Sequence, residues 1–439
     1  MNRSRNPRSR TGRLLSSLSV RVVIALILGL GVGAAVQAWG GQGGASGVET
    51  VEALGGVWLN ALKITVIPLI FALLVNGVAS IADAAQTGRL AMRAMVVFSI
   101  MIVGATIYAI VAGIGILSLW PIDPEGGRAV LASLRPDGAA AVGEAVQTDG
   151  FRAFLNSLAP SNLVKAAGDD GVLGVVLFAL VFGFAVTRLN DRLRAPIATF
   201  FEAVAEAMIV MVHWILLAAP FGVFALALGV GLRAGLGAVG VLGHYVSFVS
   251  LSQIGIILLT YLVVVVFGRI GLARFAQVAA PAQAVAFSTQ SSLASLPAMV
   301  EQARVGLGAS RAVSGLVLPL AVAVFRITSP VANLAVCLYV AQLYGIPLEP
   351  GMLIAGGLTA IAASIAAVGL PGQVSFFLSI GPICLAMGLP LGALPLLLAV
   401  EVIPDIFRTV GNVTADLAAT RIVQVQEGED LETVPADRV

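Results

Sequence analysis

The sequence predicts an all-α, polytopic membrane protein, and two observations carry that fold class. Of its 439 residues, 59% are apolar and 11% charged, with a mean hydropathy of +1.00; a soluble domain of ordinary composition carries roughly 25% charged residues. The chain also contains several apolar runs of ~20 residues or more, the length a helix needs to cross ~30 Å of hydrocarbon. An ordinary soluble enzyme is therefore excluded. The net charge of +2 is too small to point to nucleic acid, and the basic residues gather at segment ends. Cys337 and Cys384 lie in apolar spans and read as isolated small hydrophobes, neither a disulfide framework nor a metal site. His213 and His244 fall in different segments, which argues against a zinc enzyme. No cofactor is expected.

The elements follow in order. Residues 1–18 form a basic tail with Arg3, Arg5, Arg8, Arg10 and Arg13, and Arg21 opens the first apolar span. The positive-inside rule places this end in the cytoplasm. A signal peptide is the alternative, with Ala35-Val36-Gln37-Ala38 as a loose cleavage site, but a run of ~20 apolar residues is long for its core. Apolar spans cover residues 19–39, 54–82, 91–120, 172–189, 198–232 and 241–268. Between the third and fourth, residues 121–170 form the most polar internal stretch, a loop that the parity of crossings places outside.

From residue 270 the pattern changes. Residues 276–302 and 352–390 are apolar but interrupted, at Ser288-Thr289-Gln290-Ser291-Ser292-Leu293-Ala294-Ser295-Leu296-Pro297 and at Ser364-Ile365-Ala366-Ala367-Val368-Gly369-Leu370-Pro371-Gly372. Long helical runs follow each, 312–344 and 392–424. Backbone left unpaired at membrane depth is tolerated only where protein or a watery cavity supplies partners. One break alone reads as a kinked helix. Two in matching positions read as re-entrant hairpins flanking a transport site.

The last run holds Glu401, Asp405, Arg408, Thr409, Asn412 and Asp416. Five of these, at 401, 405, 408, 412 and 416, fall at roughly 0°, 40°, −20°, 20° and 60° around a helix, a stripe about 80° wide with Thr409 at its edge. Ionisable groups within a span cost at least ~2.5–3.5 kcal/mol each when exposed to lipid, so this face must look into protein or water. A solvated C-terminal helix is the bland alternative, but apolar residues continue between the charges. Lys63 reads as a snorkelling side chain, and His213-Trp214 as an interface anchor. The serines at 291, 292 and 295 have no general base near them in sequence, so a nucleophilic role is not supported.

These residues resemble a known family. Ser291-Ser292-Leu293-Ala294-Ser295-Leu296-Pro297 is similar to the serine-rich hairpin of the dicarboxylate/amino acid:cation symporters, the glutamate transporter family. Leu62-Lys63-Ile64 through Pro68-Leu69-Ile70-Phe71 to Ala79-Ser80-Ile81 resembles its second helix, and Ala219-Pro220-Phe221-Gly222-Val223-Phe224-Ala225 its fifth. Val368-Gly369-Leu370-Pro371-Gly372 is similar to the second hairpin tip. Asp405-Ile406-Phe407-Arg408-Thr409-Val410-Gly411-Asn412-Val413-Thr414-Ala415-Asp416 resembles the last helix, the most specific of these motifs.

The resemblance implies eight transmembrane helices and two re-entrant hairpins, assembled as a homotrimer within membrane lipid and working as an elevator. It divides the chain into scaffold helices 1–2 (19–90), transport-domain helix 3 (91–120), scaffold helices 4–5 (171–235), a transport domain (240–425) and a cytoplasmic tail (426–439). It implies that Arg408 grips a substrate carboxylate with its planar fork and that Asp405 takes an α-ammonium. Thr409 and Asn412 would bond the ligand, and Ser291, Ser292 and Gly369 would meet its α-carboxylate, helped by half-helix N-termini. Ser329 completes the substrate set. A carboxylate at 405 favours aspartate or glutamate over plain dicarboxylates, whose carriers tend to have a neutral residue there.

One departure matters. The family's seventh helix carries Asn-Met-Asp-Gly-Thr, a source of sodium ligands, and Val317-Leu318-Pro319-Leu320 aligns it with Phe325-Arg326-Ile327-Thr328-Ser329. Helix 3 is also poor in hydroxyls over residues 96–103. Hard cations want oxygen ligands, and among the side-chain ligands Asp416 plainly survives. The sequence therefore predicts a bacterial inner-membrane transporter of acidic amino acids that is independent of sodium, with Arg326 as the cation substitute paired to Asp416, or to Asp405 as second choice. Sodium or proton symport with Asp416 as the metal ligand is the alternative, and a membrane enzyme or binding-only receptor a remote one.

Overall fold

The computed structural model describes residues 18–39, 41–86, 88–133, 161–168, 172–234, 237–366 and 372–428. The basic tail up to residue 17, most of the polar loop, the second hairpin tip with Gly369, and the chain after 428 lie outside the described residues. The described elements are helical: α1 (Leu18–Trp39), α2 (Gly41–Gln86), α3 (Arg89–Leu119), α4 (Pro124–Ser133), α5 (Leu163–Gly168), α6 (Val172–Thr187), α7 (Asp191–Leu217), α8 (Ala219–Ala234) and α9 (Gly237–Phe267). They continue with α10 (Leu272–Thr289), α11 (Ser292–Val305), α12 (Arg311–Val324), α13 (Thr328–Leu343), α14 (Pro350–Ala366), α15 (Gly372–Ala386), α16 (Leu394–Val400) and α17 (Val402–Gln426).

Residues 21–38, 89–119, 191–217, 238–267 and 311–343 are long and apolar enough to cross a membrane. The α3 helix shows how the solvent is written into the sequence. Ala94, Phe98, Met101, Ala105 and Ala109 are buried, while Val96, Ile100, Val103, Ile107 and Val111 are exposed. Both stripes repeat at helical spacing and both are apolar. A continuous exposed apolar stripe of this kind suits lipid rather than water.

Two groups of helices result. In the first, α1 packs along α8, while α2 packs against α6, α7 and α8. Small residues allow the close α1–α8 approach: a Cβ at Gly33 would collide with the backbone of Leu228 and Leu232, and one at Gly231 with that of Leu30. Within this group Glu52 of α2 and Arg233 of α8 form a two-pronged ion pair. In the second group α17 lies among α9, α10, α11, α12 and α13, and α13 packs on α3, α14 and α15. Its centre is densely packed, with nearly every α13 residue and all of 411–424 on α17 buried.

Four expected elements come out differently. The apolar run 198–232 is two helices, because Pro220 has no N–H for the carbonyl of Leu216 and the chain turns at Ala218. The run 312–344 breaks at Phe325–Ile327, where Phe325 is extended at φ −107°, ψ 104° and its ring stacks on Phe98, centroids 4.6 Å apart. The run 392–424 breaks at Glu401, one turn before Pro404, which withholds a donor from Val400. The first hairpin break is shorter than residues 288–297. Gln290 adopts a left-handed conformation (φ 51°), Ser291 caps α11 by accepting from Ala294 N at 3.2 Å, and Pro297 lies inside the helix. Finally, the cysteines are not isolated: Cys337 Sγ on α13 and Cys384 Sγ on α15 lie 3.4 Å apart as buried free thiols.

Candidate functional site

The break before α13 and the break before α17 meet, and the charged stripe lies between them. Gly411 permits the approach, since a Cβ there would collide with the methyl of Thr328. Thr328 then ties the two helices: its Oγ1 donates to Asn412 Oδ1 at 2.8 Å and stands 3.0 Å from the Arg408 carbonyl, and its N–H donates to Asn412 Oδ1 at 3.2 Å. The broken backbone at α13 is thereby capped by a side chain of α17. Asn412 commits its carbonyl end to this cap. Ser329, also buried, accepts from Asn333 Nδ2 at 3.2 Å, and Thr409 Oγ1 donates to the Asp405 carbonyl at 3.0 Å.

Arg408 is the centre of the cluster. Its side chain is 8% exposed; the guanidinium donates to Glu401 Oε1 at 3.0 Å, and its Nε lies 3.9 Å from Asp405 Oδ1. The other oxygen of Glu401 accepts from the Tyr245 hydroxyl of α9 at 2.8 Å. The Nε of Arg408 is buried without a hydrogen-bond partner. A buried donor on a charged group left unsatisfied is costly, so this edge of the fork is a place for an acceptor that the protein itself does not supply.

Asp416 is buried deeper on the same stripe, and both its carboxylate oxygens lack a hydrogen-bond partner. Arg326 sits in the unwound stretch before α13. No salt bridge joins it to a described carboxylate, though Arg408, Asp416 and Asp405 all lie within electrostatic reach of it. The positions beside Arg326 are apolar and buried: Phe325 in its stack on Phe98, and Ile327. Ser99 of α3 spends its hydroxyl on the Met95 carbonyl at 2.8 Å.

The structure therefore brings the buried Ser329, Glu401, Arg408, Thr409, Asn412 and Asp416 together with the half-buried Arg326 and Asp405. Ser291 and Ser292 are half-buried at the α10–α11 turn, on a hairpin whose arms both pack against α17; no hydrogen bond links them to the cluster among the described residues. Gln283 of α10 fixes that hairpin, donating to Tyr261 of α9 at 3.0 Å and to Thr414 of α17 at 2.7 Å. Tyr245 and Gln283 are the members that sequence reasoning missed. Tyr245 is 156 residues from its partner, and an isolated tyrosine in an apolar span gives no periodic signal.

Comparison with known proteins agrees with this architecture. Residues 18–425 match the sodium:dicarboxylate symporter family. The chain is 26% identical over 409 residues to the proton/glutamate-aspartate symporter of Escherichia coli (strain K12), covering 93% of this chain and 92% of that protein. It is 30% identical over 445 residues to the neutral amino acid transporter B(0) of Oryctolagus cuniculus, covering 93% and 80%. It is 26% identical over 414 residues to the C4-dicarboxylate transport protein of Azorhizobium caulinodans, covering 94% and 89%. These relatives are named for three substrate classes at similar identity, so the choice among them falls to the site.

Proposed function

This chain belongs to the sodium:dicarboxylate symporter family, a family of transporters rather than enzymes, and on that premise we propose that it carries aspartate or glutamate by secondary active transport. The observation that carries this reading is the buried Arg408 with an unpartnered Nε beside Asp405. A guanidinium fork matches a carboxylate, and a neighbouring acid matches an α-ammonium; an acidic amino acid bears both groups. Thr409, Asn412, Ser329 and the backbone at Ser291, Ser292 and Gly369 complete the substrate shell. The protein works in a bacterial inner membrane as a homotrimer with a cytoplasmic N-terminus. In each protomer the second helix group moves as an elevator against a scaffold of α1, α2 and α6–α8.

Sodium does not drive it in this reading. A sodium ion wants oxygen ligands, and Phe325 and Ile327 offer none from their side chains, while Arg326 places a permanent cation nearby. Arg326 offsets the buried charge of Asp416 at a distance rather than by a direct salt bridge. The second reading, sodium or proton symport, is favoured by the two unpartnered oxygens of Asp416, which backbone carbonyls of 325–327 would help to complete around an ion. The deciding experiment is aspartate uptake into proteoliposomes with sodium, proton and potassium gradients imposed one at a time. Uptake indifferent to both the sodium and the proton gradient supports the first reading; uptake that requires sodium or follows the proton gradient supports the second. Purified protein that moves no labelled aspartate under any gradient would overturn both.

A further inference from the structure

We propose that His244 is an acid-operated clasp outside the substrate site: as the imidazolium it ties the corner between α3 and α4 to α13. Acid then slows the carrier's exchange between its two faces without changing its hold on substrate. This rests on the proposed elevator reading, in which the second helix group moves against the first.

Three observations carry it. First, both ring nitrogens of His244 face groups that need a donor. Its Nε2 lies 3.1 Å from the Trp120 carbonyl, which can only accept. Its Nδ1 lies 3.3 Å from the Tyr339 hydroxyl, whose own proton goes to the Val241 carbonyl at 2.8 Å. A neutral imidazole has one N–H and one lone pair and satisfies one of these neighbours. The imidazolium has two donors and satisfies both. Second, water reaches the ring. A cavity of about 320 Å³, lined by Trp120, Asp123, His244 and Ser247, lies against it, and Trp120 and Asp123 are exposed. Third, the corner that the ring holds is the root of a helix spanning both helix groups. Asp123 caps α4 by accepting from Gly126 N at 2.8 Å, and α4 packs on α8 of the first group and on α9 of the second.

The titratable and charged groups around the ring are few. Asp123 comes from the corner, the exposed Glu125 and Arg128 from α4, and the Tyr339 hydroxyl from α13. On α9 itself Tyr245 stands edge-on to Tyr339, ring centroids 5.2 Å apart, and donates to Glu401. The clasped form carries one proton more than the released form, so acid favours it. When that proton leaves, the ring keeps one of its two bonds, and either the corner or α13 is let go. His244 is thus a positioning residue, and it touches no substrate.

The test is exchange of labelled for unlabelled aspartate across proteoliposomes, with the pH set equal on both sides. The native rate should fall by up to about tenfold between about pH 8 and about pH 5, a window that brackets the ordinary imidazole value of about 6.5. In His244→Gln and in Tyr339→Phe the fall should be lost, while the aspartate Kd matches that of the native protein at every pH. The chain has two histidines, so nitrogen-15 imidazole spectra of His213→Gln report on His244 alone. Its ring should pass from one protonated nitrogen to two over the same window. A native rate flat with pH, a fall that persists in either variant, a Kd altered in His244→Gln, or a ring that stays singly protonated overturns the clasp and leaves the carrier reading intact. A native chain that exchanges no aspartate at any pH overturns the carrier reading and this inference with it.

Discussion

Arg408 carries the heaviest assignment of any side chain. Truncating one partner of a buried charge pair costs about 2–5 kcal/mol, or roughly thirty-fold to several-thousand-fold in Kd. Arg408→Ala should therefore abolish measurable aspartate binding by titration calorimetry while leaving room for neutral amino acids; unchanged affinity would remove the assignment. If Asp405 reads the α-ammonium as proposed, Asp405→Asn deletes that charge, and competition assays should show amino acids losing far more affinity than succinate or malate. Equal losses for both ligand classes would mean that Asp405 does not read the amino group. Arg326→Met leaves Asp416 with no nearby cation, and aspartate binding should then weaken and recover on adding sodium or lowering the pH. In the unmutated protein a steep rise of affinity with sodium would end the substitution idea. The stripe itself was readable beforehand, because charged residues at helical spacing in an apolar run leave few places to face. The Glu401–Tyr245 bond was not readable, since its partners lie far apart in sequence and on different helices. Nor was the separation of Arg326 from Asp416, which depends on where the chain unwinds.

Breaks in helices are the least readable elements and the ones on which the site is built. Val322, Ala323, Val324, Phe325 and Ile327 have the composition of a continuing apolar helix, so nothing local announces that Phe325 is extended. The unwinding is set by distant partners, the Phe98 ring and the Asn412 side chain. Proline-directed breaks are easier to explain. Pro220 and Pro404 each withhold one donor, and the chain turns in the preceding turn of helix. The cysteine pair makes the same point about tertiary contact, since two thiols 47 residues apart in different spans give no reason to expect a meeting. It also offers a test of how α13 and α15 are held together. From 3.4 Å, the sulfurs need only a small approach to reach the ~2.0 Å of a disulfide. A membrane-permeant diazene oxidant should therefore convert both thiols of one chain to a disulfide, the diazene being reduced to the hydrazine. Intact-mass spectrometry should register the loss of two hydrogens, and non-reducing peptide maps a link between 337 and 384. Thiols that are consumed one at a time, or not linked, would show that these helices are not held at this distance.

At the scale of the whole molecule, the proposed division of labour makes a prediction about independence. The α1–α8 seam belongs to the first helix group, and the charged cluster belongs to the second. If the first group is a scaffold, damage at the seam should cost stability without altering what the site recognises. Gly33 faces the backbone of Leu228 and Leu232 so closely that no Cβ fits. Gly33→Leu must therefore push α1 and α8 apart, and overpacking of this kind typically costs about 1–3 kcal/mol. The expected outcome is a lower melting temperature and, if the scaffold also carries the trimer contacts, a shift toward smaller assemblies in light-scattering chromatography. Aspartate Kd in the fraction that remains folded should change by less than about threefold, because distant, independent sites add nearly without coupling. The opposite result is equally readable. A loss of affinity matching the loss of stability would mean that seam and site form one cooperative body, and an elevator that slides past a fixed scaffold would then have no physical basis in this chain.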